Sequence, residues 1–351
     1  MENKMPKTAT YQEIITQTEA WKGALQAISN GKKSIEEIWN HSDITDVLFT
    51  GCGSTYYLSL AIAALFQQMT GRTARAIPGG ELFMYPDTAF SKGSRTLLVA
   101  ISRSGTTTET IAAVKQFRDM QLGPVIVITN YSNTPLAALG DLAIVIPEGQ
   151  EQSVAQTRSF TSMYVASTAL ATVIAGQEDL LEAMSALPAC GEGLIHAYEP
   201  LAREVGQNMD LDRYFFLGSG PRYGLACEAN LKMKEMTLTY SEPFHFMEFR
   251  HGPMSLVTET SLIVGMLSDI NRRHEQAVLD DMARLGGRVL SLGDMDTNVS
   301  FDSRLPESIR NVLYLPVLQI MAYYRSIAKG LNPDQPHNLT AVVKLNLDQN
   351  G

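Results

Sequence analysis

The sequence predicts an α/β protein made of two tandem three-layer α/β/α units, each a mostly parallel sheet covered by helices on both faces. Three observations carry this. Short, continuous apolar runs alternate with helical patterns, as buried parallel strands do. Several of these runs end in turns rich in glycine or hydroxyls, such as Gly51-Cys-Gly53-Ser-Thr55 and Ser102-Arg-Ser-Gly-Thr-Thr-Thr108. The alternation stops near residue 150 and starts again at Asp212, where Phe216-Leu-Gly-Ser-Gly220 corresponds to Leu48-Phe-Thr-Gly-Cys-Gly53. The last point reads as an internal duplication.

The elements follow in order. Residues 1–45 form an N-terminal helical segment, with apolar positions at helical spacing in Tyr11–Ile15 and Trp21–Ile28. The first unit, 46–190, has strands at 46–50, 75–77, 96–101, 124–129 and 142–146. A helix over 156–175 and a helical pair reaching Met209 come next. The second unit, 191–351, has strands at 212–217, 261–267, 288–292 and 312–315.

Composition narrows the function. The 351 residues are 45% hydrophobic and 19% charged, as expected of a well-packed globular chain. A net charge of −9 argues against a general nucleic-acid surface. Cys52, Cys190 and Cys227 are widely spaced, which suits a reducing compartment and gives neither a zinc site nor a disulfide framework. No apolar leader or membrane span is visible, so a cytoplasmic protein is expected.

The chemistry should sit beyond the carboxyl ends of the strands. Six of the seven residues 102–108 are Ser, Thr or Gly, and they precede a helix whose first N–H groups favour an anion. One hydroxyl would suffice for a cap; this many fits a phosphate. The Gly-x-Gly turn at 51–53 lacks the third glycine of a dinucleotide fingerprint, and no ATP-type phosphate loop is present. Neither a cofactor site nor a metal-ligand cluster emerges. Farther on, Glu228, Lys232 and Glu235 share one face of a mostly apolar helix. They are either a buried ion pair or proton-transfer machinery. His251-Gly-Pro253 lies 16 residues beyond Glu235.

Taken together, these residues resemble the sugar isomerase (SIS) family, most of all the isomerase half of glucosamine-6-phosphate synthase and its deaminase and deglycase relatives. The resemblance rests on Gly51–Thr55, Ser102–Thr107, Thr157–Thr161, Glu228–Glu235, Glu248–Pro253 and Pro336–Leu339, and runs from about Asp46 to Leu347. It implies five-stranded, flavodoxin-like sheets and a phosphosugar substrate. The phosphate would be held by Ser102, the backbone of Arg103, Ser104 and Thr107. Thr55 and Gln156 match sugar-contacting positions. Lys232 and Glu235 match the residues at the reacting carbons, with Glu235 as the base. His251 matches a ring-opening histidine supplied by the neighbouring subunit, which implies a homodimer with shared sites.

Two departures shape the expected reaction. Met1 is followed by Glu-Asn-Lys, not by the cysteine nucleophile of an amidotransferase, so glutamine hydrolysis is not expected. The family's imine-forming lysine falls at Ala341, with Lys344 nearby in sequence. A substrate that already carries its nitrogen needs no such lysine. The expected activity is therefore ring opening, C1/C2 proton transfer and imine hydrolysis on an amino-sugar or fructosamine 6-phosphate. Simple aldose–ketose isomerisation, a synthase-like enzyme without its glutaminase, and a non-catalytic phosphosugar sensor are the alternatives.

Overall fold

The computed structural model describes residues 8–90, 93–343 and 345. Helices α1 (Ala9–Ile15) and α2 (Gln17–His41) open the chain. The first sheet follows: β1 (Asp46–Gly51), α3 (Ser54–Thr70), β2 (Ala74–Pro78), the short α4 (Gly79–Met84) and α5 (Pro86–Ala89), β3 (Thr96–Ile101), α6 (Thr108–Asp119), β4 (Val125–Thr129) and β5 (Leu142–Val145). Helices α7 (Arg158–Ile174), α8 (Glu178–Ala183) and α9 (Leu187–Gln207) lead to the second: β6 (Arg213–Leu217), α10 (Pro221–Thr237), β7 (Tyr240–Phe244), α11 (Phe246–Phe249), β8 (Ser261–Met266), α12 (Arg272–Arg284), β9 (Arg288–Gly293) and β10 (Val299–Ser300). Helices α13 (Glu307–Arg310) and α14 (Leu315–Ala328) complete the order.

Both sheets are five-stranded and parallel. Their orders, β2-β1-β3-β4-β5 and β7-β6-β8-β9-β10, have the same pattern. Side chains alternate between two apolar layers, as the pleat requires. Phe49, Val99, Phe216 and Val264 point into one central cluster shared by the two sheets. Leu48, Leu98 and Val127 face a separate cluster with Phe117 of α6. Phe215 and Ile263 face another with Leu279 and Met282 of α12. The central cluster takes in residues of α2, α3, α7, α9, α10 and α14, so the two sheets bury their inner faces in one common core.

Two strand assignments change. Residues 312–315 are not a strand: Asn311–Tyr314 form a 3-10 turn that runs into α14, which has proline in its first turn. That apolar run is buried, and periodicity alone cannot tell so short a run from helix. The fifth strand is instead the two-residue β10, too short to leave a pattern. The edge strand β7 was also not anticipated. It carries Pro243, which an edge tolerates and an inner strand does not.

Helices α3 and α10 cross so closely that Gly224 has no room for a side chain. A Cβ there would lie 2.4 Å from the Ala61 nitrogen and 2.5 Å from the Tyr57 carbonyl oxygen. Both are helical backbone and cannot swing aside. Gly224→Ala should destabilise the protein by about 1–3 kcal/mol, the usual cost of forced overpacking. A lowered urea midpoint checks this; a variant that unfolds with the wild type contradicts it.

Candidate active site

A cavity of about 250 Å³ opens beyond the carboxyl ends of β1 and β3. Cys52, Gly53 and Ser54 line it from the first turn, and Arg103, Thr107 and Glu109 from the second. Val154 and Gln156 come from the loop before α7, Leu231 and Glu235 from α10, and Leu339–Val343 from the C-terminal segment. Sequence-distant parts therefore meet at one place, at the position where open parallel sheets bind ligands.

The hydroxyl-rich turn folds back on itself. Ser102 Oγ lies 3.2 Å from Thr107 Oγ1 and accepts the Gly105 amide at 3.2 Å. Ser104 Oγ accepts from the Thr106 amide and hydroxyl at 3.2 and 3.0 Å. Gly105 sits at φ +62°, and a Cβ there would strike Thr134, so this turn needs glycine. Thr107 occupies the N-cap of α6, yet its side chain makes no capping bond. The run of hydroxyls is thus not explained by helix capping, and the α6 N-terminus faces the cavity without a side-chain cap.

Arg103 is buried, and its side chain is taken up by neighbouring carbonyls and a carboxylate. Its guanidinium donates to the Val154 carbonyl at 2.9 Å and the Ala341 carbonyl at 2.8 Å, and it pairs with Glu151 at 3.4 Å. Glu151 in turn accepts from the Thr157 amide at 2.7 Å and the Ser159 amide at 3.1 Å at the start of α7. One arginine therefore ties the hydroxyl turn, the loop before α7 and the C-terminal segment into a single wall.

On α10, Lys232 is buried between two carboxylates. Its Nζ lies 3.2 Å from Glu228 Oε1 and 3.2 Å from Ser54 Oγ, and it donates to Glu235. Glu228 is fully buried, whereas Glu235 keeps part of its surface at the cavity. Burial pushes the Glu228 carboxyl up to about 8, against the pull of Lys232. Its oxygens lack a well-aligned hydrogen-bond donor. Burial alone would lower Lys232, but the two carboxylates outweigh it and hold the ammonium above its usual range.

The anticipated residues divide into two groups. Arg103, Thr107, Gln156 and Glu235 line the cavity; Ser102 and Lys232 stand directly behind Thr107 and Glu235. Ser104 closes its own turn. Thr55 is buried and bonds Cys52 within its own turn, accepting from the amide at 2.9 Å and donating to the carbonyl at 3.0 Å. His251 is exposed and outside the cavity lining. Lys344 lies outside the described residues. Ser54, Cys52 and Glu109 were not singled out. Ser54 and Cys52 were within a motif already marked, but their contacts depend on how α10 docks. Among the described residues there is no cluster of His, Cys, Asp and Glu able to hold a metal, and no helix long and apolar enough to cross a membrane.

The raised Glu228 carboxyl sets the sign of a pH dependence. Between its ordinary range near 4.5 and about 8, the folded state holds a proton that the unfolded chain releases. This contribution to stability is present below about 4.5 and is lost as pH rises through about 8. Glu228→Gln should flatten that fall. Urea midpoints of both proteins from pH 5 to 9 check it; parallel curves contradict it.

Residues 42–173 match the SIS domain. A glutamine–fructose-6-phosphate aminotransferase (isomerizing) from Methanothermobacter thermautotrophicus is 26% identical over 320 residues, which are 88% of this chain and 52% of the relative. The chain thus spans about half the length of that relative. The solved glucosamine-6-phosphate deaminase of Thermotoga maritima aligns with a TM-score of 0.77 at 27% identity, over 96% of this chain and 100% of that one. The tagatose-6-phosphate ketose/aldose isomerase of Escherichia coli shares the fold, with a TM-score of 0.85 at 23% identity over 94% and 96% of the two chains. The chain contains a SIS domain and is homologous to the isomerase domain of the glutamine–fructose-6-phosphate aminotransferases.

Proposed function

We propose that the protein breaks down an amino-sugar or fructosamine 6-phosphate by moving a proton between C1 and C2 and hydrolysing the imine that results. The observation that carries this reading is the cavity itself: it joins a hydroxyl-rich turn at an uncapped helix N-terminus to a carboxylate, Glu235, held on a helix of the other half. The first suits a phosphate. The second suits proton transfer at the far end of the sugar, where a positioned carboxylate is within its chemistry.

The atoms balance for either substrate. From an open-chain 2-amino aldose, Glu235 removes the C2 proton to give an enolamine. Protonation at C1 leaves a C2 imine, to which one water adds, and ammonia departs from a ketose phosphate. From a 1-amino ketose, the proton leaves C1, C2 is reprotonated, and hydrolysis of the C1 imine gives an aldose phosphate and the amine. Neither route needs an enzyme imine, in keeping with alanine at position 341. Lys232 would keep a positive charge beside the carboxylate and the developing enolate oxygen. The 27% identity over the full length of a glucosamine-6-phosphate deaminase supports nitrogen release. His251, exposed and away from its own cavity, suits a histidine offered to the site of a second copy.

Glu235→Gln should lower C1/C2 exchange with solvent deuterium by about 10²- to 10⁴-fold, the usual worth of a general base, and leave sugar-phosphate binding near normal. Wild-type-like exchange in that variant removes Glu235 from the role. Interconversion of sugars with no ammonia or amine released reduces the activity to isomerisation. If sites are shared, mixing the inactive Glu235→Gln and His251→Ala proteins should recover part of the activity; a mixture as inactive as its components contradicts sharing.

A further inference from the structure

Glu235 lines two cavities. Besides the one described there is a second, of about 210 Å³, bounded by Met236 and Leu238 at the end of α10 and by the stretch that follows α14. Asn332, Gln335 and His337 give it its polar groups, and apart from Glu235 no charged carboxylate, lysine or arginine lines it. The Asn332 side-chain oxygen accepts the Asp334 amide at 3.0 Å, which leaves its NH₂ to donate. Amides and an imidazole can both donate and accept, and so suit a carboxylate, hydroxyl or amide on a ligand.

The reading of Glu235 as the base fixes what this space is for, and the inference rests on that reading. With the 6-phosphate at the Ser102–Thr107 turn, the opposite end of the sugar chain, C1 and C2, lies at Glu235. The nitrogen is bonded to one of those carbons. Any group it carries must continue past Glu235, away from the phosphate. An unsubstituted amine would end at Glu235 and leave the second cavity unoccupied. We propose that this cavity is the subsite for the group on the substrate's nitrogen, so that the substrate class is an N-substituted amino-sugar phosphate that releases an amino acid or another primary amine, not ammonia.

The test separates the subsite from the chemistry by measuring binding on Glu235→Gln protein. Calorimetric titration compares an amino-acid conjugate of 1-amino-1-deoxyfructose 6-phosphate with glucosamine 6-phosphate. The conjugate should bind at least about tenfold more tightly, in line with a pocket that recognises an added group. Adding Gln335→Ala and His337→Ala, both at exposed positions that substitution should not unfold, should narrow the ratio by about tenfold. Equal affinities, or a ratio that the two substitutions leave unmoved, overturn the subsite. Failure of the base is read separately, as deuterium exchange that persists in Glu235→Gln.

Discussion

A buried ammonium between two carboxylates, on a helix pressed against its neighbour with no side chain between them, holds the candidate site together. Gly224 lets α10 lie on the backbone of α3, and that approach brings Lys232 to Ser54 across the boundary between the two halves. An ammonium in such a place is tolerable only if it is paired. Glu228 Oε1 lies 3.2 Å from the ammonium inside the protein and Glu235 accepts from it at the cavity, so Lys232 is paired on both sides. On the proposed reading, Glu235 both pairs with Lys232 and serves as the base. Losing either half of the packing would lose both.

The hydroxyl turn depends on a second tie of the same kind. Arg103 spends its guanidinium on carbonyls and on Glu151, which caps α7. Ala341 is held through its carbonyl and lines the cavity as part of its wall. The link reaches still farther. Asp334 accepts from the Ala9 and Thr10 amides at the start of α1, at 3.1 and 2.8 Å, and gives its own carbonyl to the Val154 amide. The N-terminal helices, the loop before α7 and the C-terminal segment are thereby one framework around the cavity, and among the described residues that line it the one cation is Arg103, already engaged in that framework. On the proposed reading, hydroxyls and helix N–H groups would meet the phosphate.

Much of this was legible in the sequence, and the limits have physical reasons. Parallel strands such as Thr96–Ile101 are apolar on both faces and announce themselves. The edge strand β7, with its proline, and the two-residue β10 do not. The apolar run at 312–315 fooled the period because burial, not alternation, dictates it. At the site, spacing placed Glu228, Lys232 and Glu235 on one face, and the turn at 102–108 was marked by its composition. What spacing could not supply was depth. That Glu228 is sealed in while Glu235 reaches the cavity, that Thr55 closes its own turn, and that Arg103 braces the wall all follow from the docking of distant elements. Residue types close in sequence carry no record of those contacts.

The most direct measurement is a crystal structure with an open-chain sugar 6-phosphate or its stable alcohol analogue bound. The account predicts the phosphate against the Ser102–Thr107 turn and the α6 N-terminus, with C1 and C2 within hydrogen-bond reach of the Glu235 carboxylate, roughly 2.6–3.2 Å. A sugar bound in the reverse sense, or a phosphate held elsewhere in the protein, would contradict it.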